Sequence, residues 1–211
     1  MKKRFAAVAL AAVMLLGGCK SSGVKLSENR AVFQNEGFAV ELPEDWVVYT
    51  GKDIYKEISE VSGEDAGELQ KSDEKAGLRF LLLAKSPDET VTLNVTAQSL
   101  AVDSDGNEIA EPMSAELYAR SAHDSALFDY FASGFRSGGD SVFEEETVGG
   151  AKGWHSYYEI YLPEEEGGGF LYGQSEHLFG VGDEVFSVQT AYVSQDSRQS
   201  AENVKIEALN G

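Results

Sequence analysis

The chain has 211 residues, 42% of them hydrophobic and 25% charged, with a formal net charge of −19. That length suits one domain, able to bury roughly 70% of the surface its unfolded chain exposes. The surplus of 36 acidic over 17 basic residues excludes nucleic-acid binding, which runs on clustered Lys and Arg. It also argues against docking of the domain face on anionic lipid.

The first segment is "MKKRFAAVALAAVMLLGGCKSSG". Lys2, Lys3 and Arg4 precede an apolar run over residues 5–16, then Gly17, Gly18 and Cys19. A basic start, a short apolar run and small residues are the parts of a secretory signal. The alternative, a transmembrane helix, needs about 20 apolar residues. "LGGC" at its end resembles the lipobox of bacterial lipoproteins. The resemblance implies a signal peptide over residues 1–18, cleavage between Gly18 and Cys19, and a diacylglycerol thioether on Cys19. Cys19 is the only cysteine, and a lone cysteine in an exported chain needs such an explanation. Acyl chains contribute about 0.8 kcal/mol per buried CH₂, so two or more hold a protein firmly at a membrane. No other cofactor is expected. Lys20, rather than Asp, follows the cysteine. By resemblance to the sorting rule of two-membrane bacteria, this does not retain a protein in the inner membrane. Removing the three positive charges of the signal takes the remaining chain from −19 to −22. Residues 19–30 read as a flexible tether, and residues 31–211 as a single domain.

Within that domain, residues 31–34 and 37–42 alternate as strands, with Phe38, Val40 and Leu42 on one side. Pro43 ends the second, and "PED" turns the chain into a strand over 46–50. Residues 53–61 form a short helix, and the glycine-dotted polar stretch 62–77 an exposed loop. "LRFLLLA", 78–84, is apolar on both faces, as in a central strand. In 90–100, Val91, Leu93, Val95 and Ala97 face a core, while Thr92, Asn94, Thr96 and Gln98 face something polar. Ser114 caps the main helix, in which Leu127, Phe131 and Phe135, with Phe128 beside them, mark an apolar stripe. Strands follow over 141–148, 151–162, 170–180 and 184–193, joined by glycine-rich links of the kind that make antiparallel hairpins. A helix over Ser197–Leu209, with Ala201, Val204 and Leu209 inward, closes the chain. The order predicts an α+β fold, an antiparallel sheet flanked by helices.

"FAVELPEDW" near the start of the domain, a central amphipathic helix, an antiparallel meander and a closing helix resemble the PsbP-like proteins over about residues 31–209. That resemblance implies an α/β/α sandwich without shared catalytic apparatus, in a family whose members act mostly as assembly, docking or accessory factors. An envelope protein or a small ligand is the expected partner.

Candidate chemistry is sparse. If residue numbers pair to a constant of 332, His155 and His177 stand directly opposite on adjacent strands, with Glu159 on the same face. Two imidazoles and a carboxylate can hold a divalent transition metal, and one residue of slip removes the arrangement. "DSDGNE", 103–108, fails the spacing of a calcium loop, with Glu108 at the sixth position and Ser114 at the twelfth, and reads as a turn. The "EEE" runs at 144–146 and 164–166 are solvated carboxylates. No G-x-S-x-G elbow is present. Ser175 and His177 share a strand face, but no acid partner is specified, so a hydrolase is the least supported reading. Tyr157 and Tyr158 point to opposite faces, so some tyrosines line a second face that is either helix-covered or a binding surface. The leading expectation is a lipid-anchored, extracytoplasmic, non-catalytic binding domain. A cation-binding lipoprotein is the alternative.

Overall fold

The computed structural model describes residues 24–27, 29–103, 105–139, 141–202 and 204–209. The expected signal peptide, the Gly18–Cys19 cleavage site and lipidated Cys19 lie outside the described residues. Among those described, the chain opens with strands β1 (Val24–Ser27), β2 (Arg30–Phe33), β3 (Phe38–Glu41) and β4 (Val47–Tyr49). Helices α1 (Lys52–Ser62) and α2 (Ala66–Lys75) lead into β5 (Leu78–Lys85) and β6 (Val91–Ser99). Helix α3 (Ala115–Ala132) precedes a run of strands: β7 (Arg136–Ser137), β8 (Val142–Val148), β9 (Ala151–Tyr161), β10 (Phe170–Val181) and β11 (Glu184–Tyr192). A short helix, α4 (Arg198–Glu202), and β12 (Lys205–Ala208) follow.

The fold is α+β and its sheets are antiparallel. The large sheet runs β4-β5-β6-β11-β10-β9, and β7 and β8 both pair with β9. A small sheet runs β1-β2-β3-β12. The period-2 pattern of β6 explains how the two meet. Its apolar residues, Leu93, Val95 and Ala97, join Phe179, Phe186 and Val188 of the large sheet, and Phe33, Phe38 and Val40 of the small one, in the main core. The Phe38 ring meets Phe179 and Phe186 edge-on at 5.0 and 5.6 Å. One face of the large sheet is thus covered by a second sheet, with α4 beside it over Val91 and Tyr192. On the other face α1 and α2 pack on β5, and α3 packs on β9, β10 and β11.

Four sequence expectations change. Val24–Ser27, expected within the tether, pairs residue for residue with β2, and Val24 packs on the core. The stretch 62–77, expected as a loop, contains α2. Asp65 Oδ1 accepts from the backbone N–H groups of Gly67 at 2.9 Å and Glu68 at 3.0 Å, and no residue of α2 is buried. A helix held by its cap and lacking an apolar stripe carries no periodic pattern. The closing helix expected over Ser197–Leu209 is short and gives way to β12, whose backbone pairs with β3 and whose Ile206 packs on the core. Helix α3 turns a different face inward. Ala119 and His123 are its buried residues, while Phe128 and Phe131 are 71% and 49% exposed. The small side chains at Ala115, Ala119 and Ala122 follow the helical period and let the backbone approach the sheet, which leaves those two phenylalanines outside.

Candidate functional site

The register of β9 and β10 places His155 directly opposite His177, the pairing whose numbers reach 332. β8 adds Glu144 opposite His155, so three strands set a carboxylate and two imidazoles in one row. The rings stack at 4.8 Å between centroids, tilted by 12°. His177 Nδ1 meets Glu146 Oε1 at 2.7 Å, and His155 Nδ1 lies 3.6 Å from Glu144 Oε1. Burial, and then the neighbouring His177, lowers the pKa of His155.

Glu159 shares that face but does not join the pair. Its Oε1 accepts from the Tyr157 and Tyr192 hydroxyls, both at 2.8 Å, and its Oε2 from the Tyr161 hydroxyl at 3.1 Å. Arg198 Nη1 stands 3.7 Å away. Burial pushes this carboxyl up, yet the three hydroxyls and Arg198 together bring it below the ordinary glutamate value. Gly173, opposite Glu159, makes room for the Tyr192 ring, since a Cβ there would sit 2.1 Å from Tyr192 Cζ. The three expected ligands therefore divide into a histidine pair and a tyrosine-bound glutamate. Among the described residues no group of three or more His, Cys, Asp or Glu is arranged to hold a metal ion.

Ser175 is drawn into the histidine row as well. Its Oγ is 3.0 Å from His155 Nε2, and Glu144 stands at the other ring nitrogen. That is the order of a serine–histidine–acid relay. What it lacks is a place for an oxyanion. β10 is paired on both sides, so the backbone N–H groups around Ser175 are engaged in the ladders. His123 is elsewhere, under α3, with Nδ1 2.8 Å from Ser156 Oγ and its pKa lowered chiefly by burial. Asp103 makes the expected turn, accepting from the backbone N–H groups of Asp105 and Asn107.

The helix-side face of the large sheet holds a second constellation. Register places Thr92, Asn94, Thr96 and Gln98 of β6 beside Ser187 and Gln189 of β11, which in turn neighbour Glu176 of β10. The β6 residues and Gln189 are partly exposed, between α1 and α2 on β5 and α3 on β9 and β10. This is a groove with a floor of amides and hydroxyls. Its acid, Glu176, accepts from Ser187 Oγ at 2.5 Å and Gln174 Nε2 at 3.4 Å. Burial raises its pKa. A cavity of about 370 Å³ opens at one end, lined by Gln98, Leu100, Val102, Ile109, Met113 and Tyr118 among others. A larger recess of about 490 Å³ is lined by Ser27, Asn29, Arg30, Glu41 and Leu42, away from this groove. The alternation of β6 carried the floor of the groove in the sequence. Nothing there marked Glu176, because its importance comes from strands and a helix far apart in the chain.

No family model matches the chain, and no curated protein matches it. Among solved structures it is similar to a cyanobacterial PsbP, CyanoP of Synechocystis sp. PCC 6803, with a TM-score of 0.49 and 12% identity. That match covers 92% of this chain and 98% of the other. CyanoP is a PsbP protein, the family that the sequence resembles. The chain is also similar to LpqN, involved in cell envelope biogenesis of Mycobacterium tuberculosis, with a TM-score of 0.39, 12% identity and coverage of 81% and 83%. A protein of Bacteroides thetaiotaomicron matches with a TM-score of 0.37 and 19% identity, over 82% of this chain and 46% of that one. Among the described residues no helix is long and apolar enough to cross a membrane.

Proposed function

We propose that the protein is a lipid-anchored, extracytoplasmic accessory domain of the cell envelope. It binds an envelope partner or a small ligand through the helix-side groove and does no chemistry on it. The observation that carries the binding role is the strip of Thr92, Asn94, Thr96, Gln98 and Gln189, which stays partly exposed between two helical walls. Polar side chains converging in a cleft are how small-molecule sites fix orientation. The anchoring part rests on the sequence "LGGC" ending a short apolar run. Lys20 supports an outer-membrane destination in a host that has one. The test is fractionation of cells producing the tagged chain. The wild type is expected as a shortened form that detergent releases from membranes. Cys19→Ala is expected to lose lipid labelling and to accumulate uncleaved. A Cys19→Ala chain that is cleaved and membrane-bound like the wild type overturns the anchor.

The stacked His155–His177 pair favours a second reading, a divalent-cation site completed by Glu144 or Glu146 rather than Glu159. Metal analysis of the purified domain decides it. A stoichiometric metal lost in His155→Ala/His177→Ala supports that reading, and a metal-free domain removes it.

A further inference from the structure

We infer that the helix-side groove takes a small organic cation, its ammonium group against Glu176 and its apolar body in the cavity beside Tyr118. This rests on the groove being the binding face. The first observation is an unbalanced carboxylate. Glu176 accepts two hydrogen bonds, both from neutral side chains, Ser187 and Gln174. Among the described residues no Lys, Arg or His forms an ion pair with it. His177 is its chain neighbour but points through the opposite face of the strand, toward Glu146. A partly buried carboxylate held only by neutral donors is incompletely compensated, and a ligand cation supplies what the fold does not.

Aromatic surroundings fit the same ligand. The Tyr172 hydroxyl donates to Gln174, which in turn donates to Glu176, and the Tyr158 ring lies 6.2 Å from that of Tyr172. Tyr130 packs against Tyr158 and Tyr172 at 6.1 and 6.0 Å. Tyrosine faces attract ammonium groups, the more so when these are desolvated.

The third observation is the adjoining cavity. Tyr118 lines it and packs on the cluster of Leu178 and Val185, which lie two residues along from Glu176 and Ser187 on the same face of the sheet, so one side chain links the charged and apolar parts of the site. Leu100, Val102, Ile109 and Met113 offer apolar walls. About 370 Å³ lies within the range of small-ligand pockets and is far too small for a protein domain. The net charge of −19 favours approach of a cation and disfavours an anion.

The experiment is titration calorimetry of the purified domain with n-hexylammonium, hexanol and hexanoate, at about 0.15 M salt to screen diffuse attraction. Hexylammonium is expected to bind once per chain, at least about tenfold more tightly than hexanol, with hexanoate weakest of the three. Glu176→Gln keeps the acceptor for Ser187 and removes the charge. It is expected to weaken hexylammonium at least about tenfold and to leave hexanol unchanged. Ile109→Trp fills the cavity and is expected to weaken both. Equal binding of hexylammonium by wild type and Glu176→Gln overturns the inference. So does an equal loss in Glu165→Gln, a change on an exposed turn, because it would make the attraction diffuse. Absence of saturable hexylammonium binding also overturns it. Fractionation with Cys19→Ala reads the anchor separately, so either result can fail without the other.

Discussion

The two faces of the large sheet are made from the same strands and have opposite character. On one, β6 contributes Leu93, Val95 and Ala97, all at 0% exposure, to a core shared with the small sheet. On the other, the same strand offers Thr92, Asn94, Thr96 and Gln98, all partly exposed. The contrast shows what each covering layer does. A second sheet covers its face broadly, because facing side chains interdigitate over a wide area. Helices cover in stripes, and here they leave a groove between them. Polar groups tolerate that position because water or neighbouring side chains satisfy them.

The strongest way to break the contrast is to remove an aromatic from the sheet–sheet side. Phe38→Ala deletes a ring that touches Phe33, Phe179 and Phe186, and is expected to cost about 3–5 kcal/mol. Urea unfolding measures it, and a loss under 1 kcal/mol would show that this interface is not the principal core. Next comes Tyr192→Phe, which keeps the ring and removes a buried hydroxyl bound to Glu159. The expected loss is about 1–3 kcal/mol. The pH response sharpens this case. The Glu159 carboxyl is depressed in the folded state, so its contribution is present above the unfolded value of about 4.3. It is lost as pH falls through the folded value. Acid unfolding should therefore penalise the wild type more than Tyr192→Phe, and parallel acid curves would contradict the assignment.

On the helix side the expected signs change. Glu176 is raised, so ionising it disfavours the fold as pH climbs from about 4.3 through the folded value. Glu176→Gln should then raise Tm at pH 7 by about 2–4 °C, the shift for about 1 kcal/mol in a chain of this size. Below about pH 4 the gain should vanish, and a variant that melts earlier than wild type at pH 7 would refute a strained carboxylate. Asn94→Ala, on the groove floor, should change stability by no more than about 0.5 kcal/mol. A larger loss would mean that the groove is closed in solution.

Legibility followed the range of the interactions. The pairing of His155 with His177 was legible only as one of the registers a single link between β9 and β10 allows: next to that link Phe170 faces Tyr161, and an irregularity before Tyr172 shifts the ladder by one residue to bring the histidines opposite each other. Ser175 was placed on the face of His177, but its contact with His155 depends on a rotamer, and Glu144 was not placed with them because it arrives on a third strand. Helix α2 escaped because one cap, Asp65, holds it without an apolar stripe. β12 escaped because only two positions, 203 and 204, separate it from α4, and only the free edge of β3 selects a strand for Lys205–Ala208.

By itself the sequence determined the antiparallel α+β class, the two-faced character of β6, the capped start of α3 and the expectation of an anchor at Cys19. Those depend on period, caps and local motifs, which act over a few residues. Tertiary structure alone decided that a small sheet covers one face and that Phe128 and Phe131 of α3 point outward. It also decided that Glu159 belongs to tyrosines and that Glu176 lies without a counter-charge beside a cavity. Each of these depends on which distant segment arrives to pack, and burial, not local propensity, selects that partner.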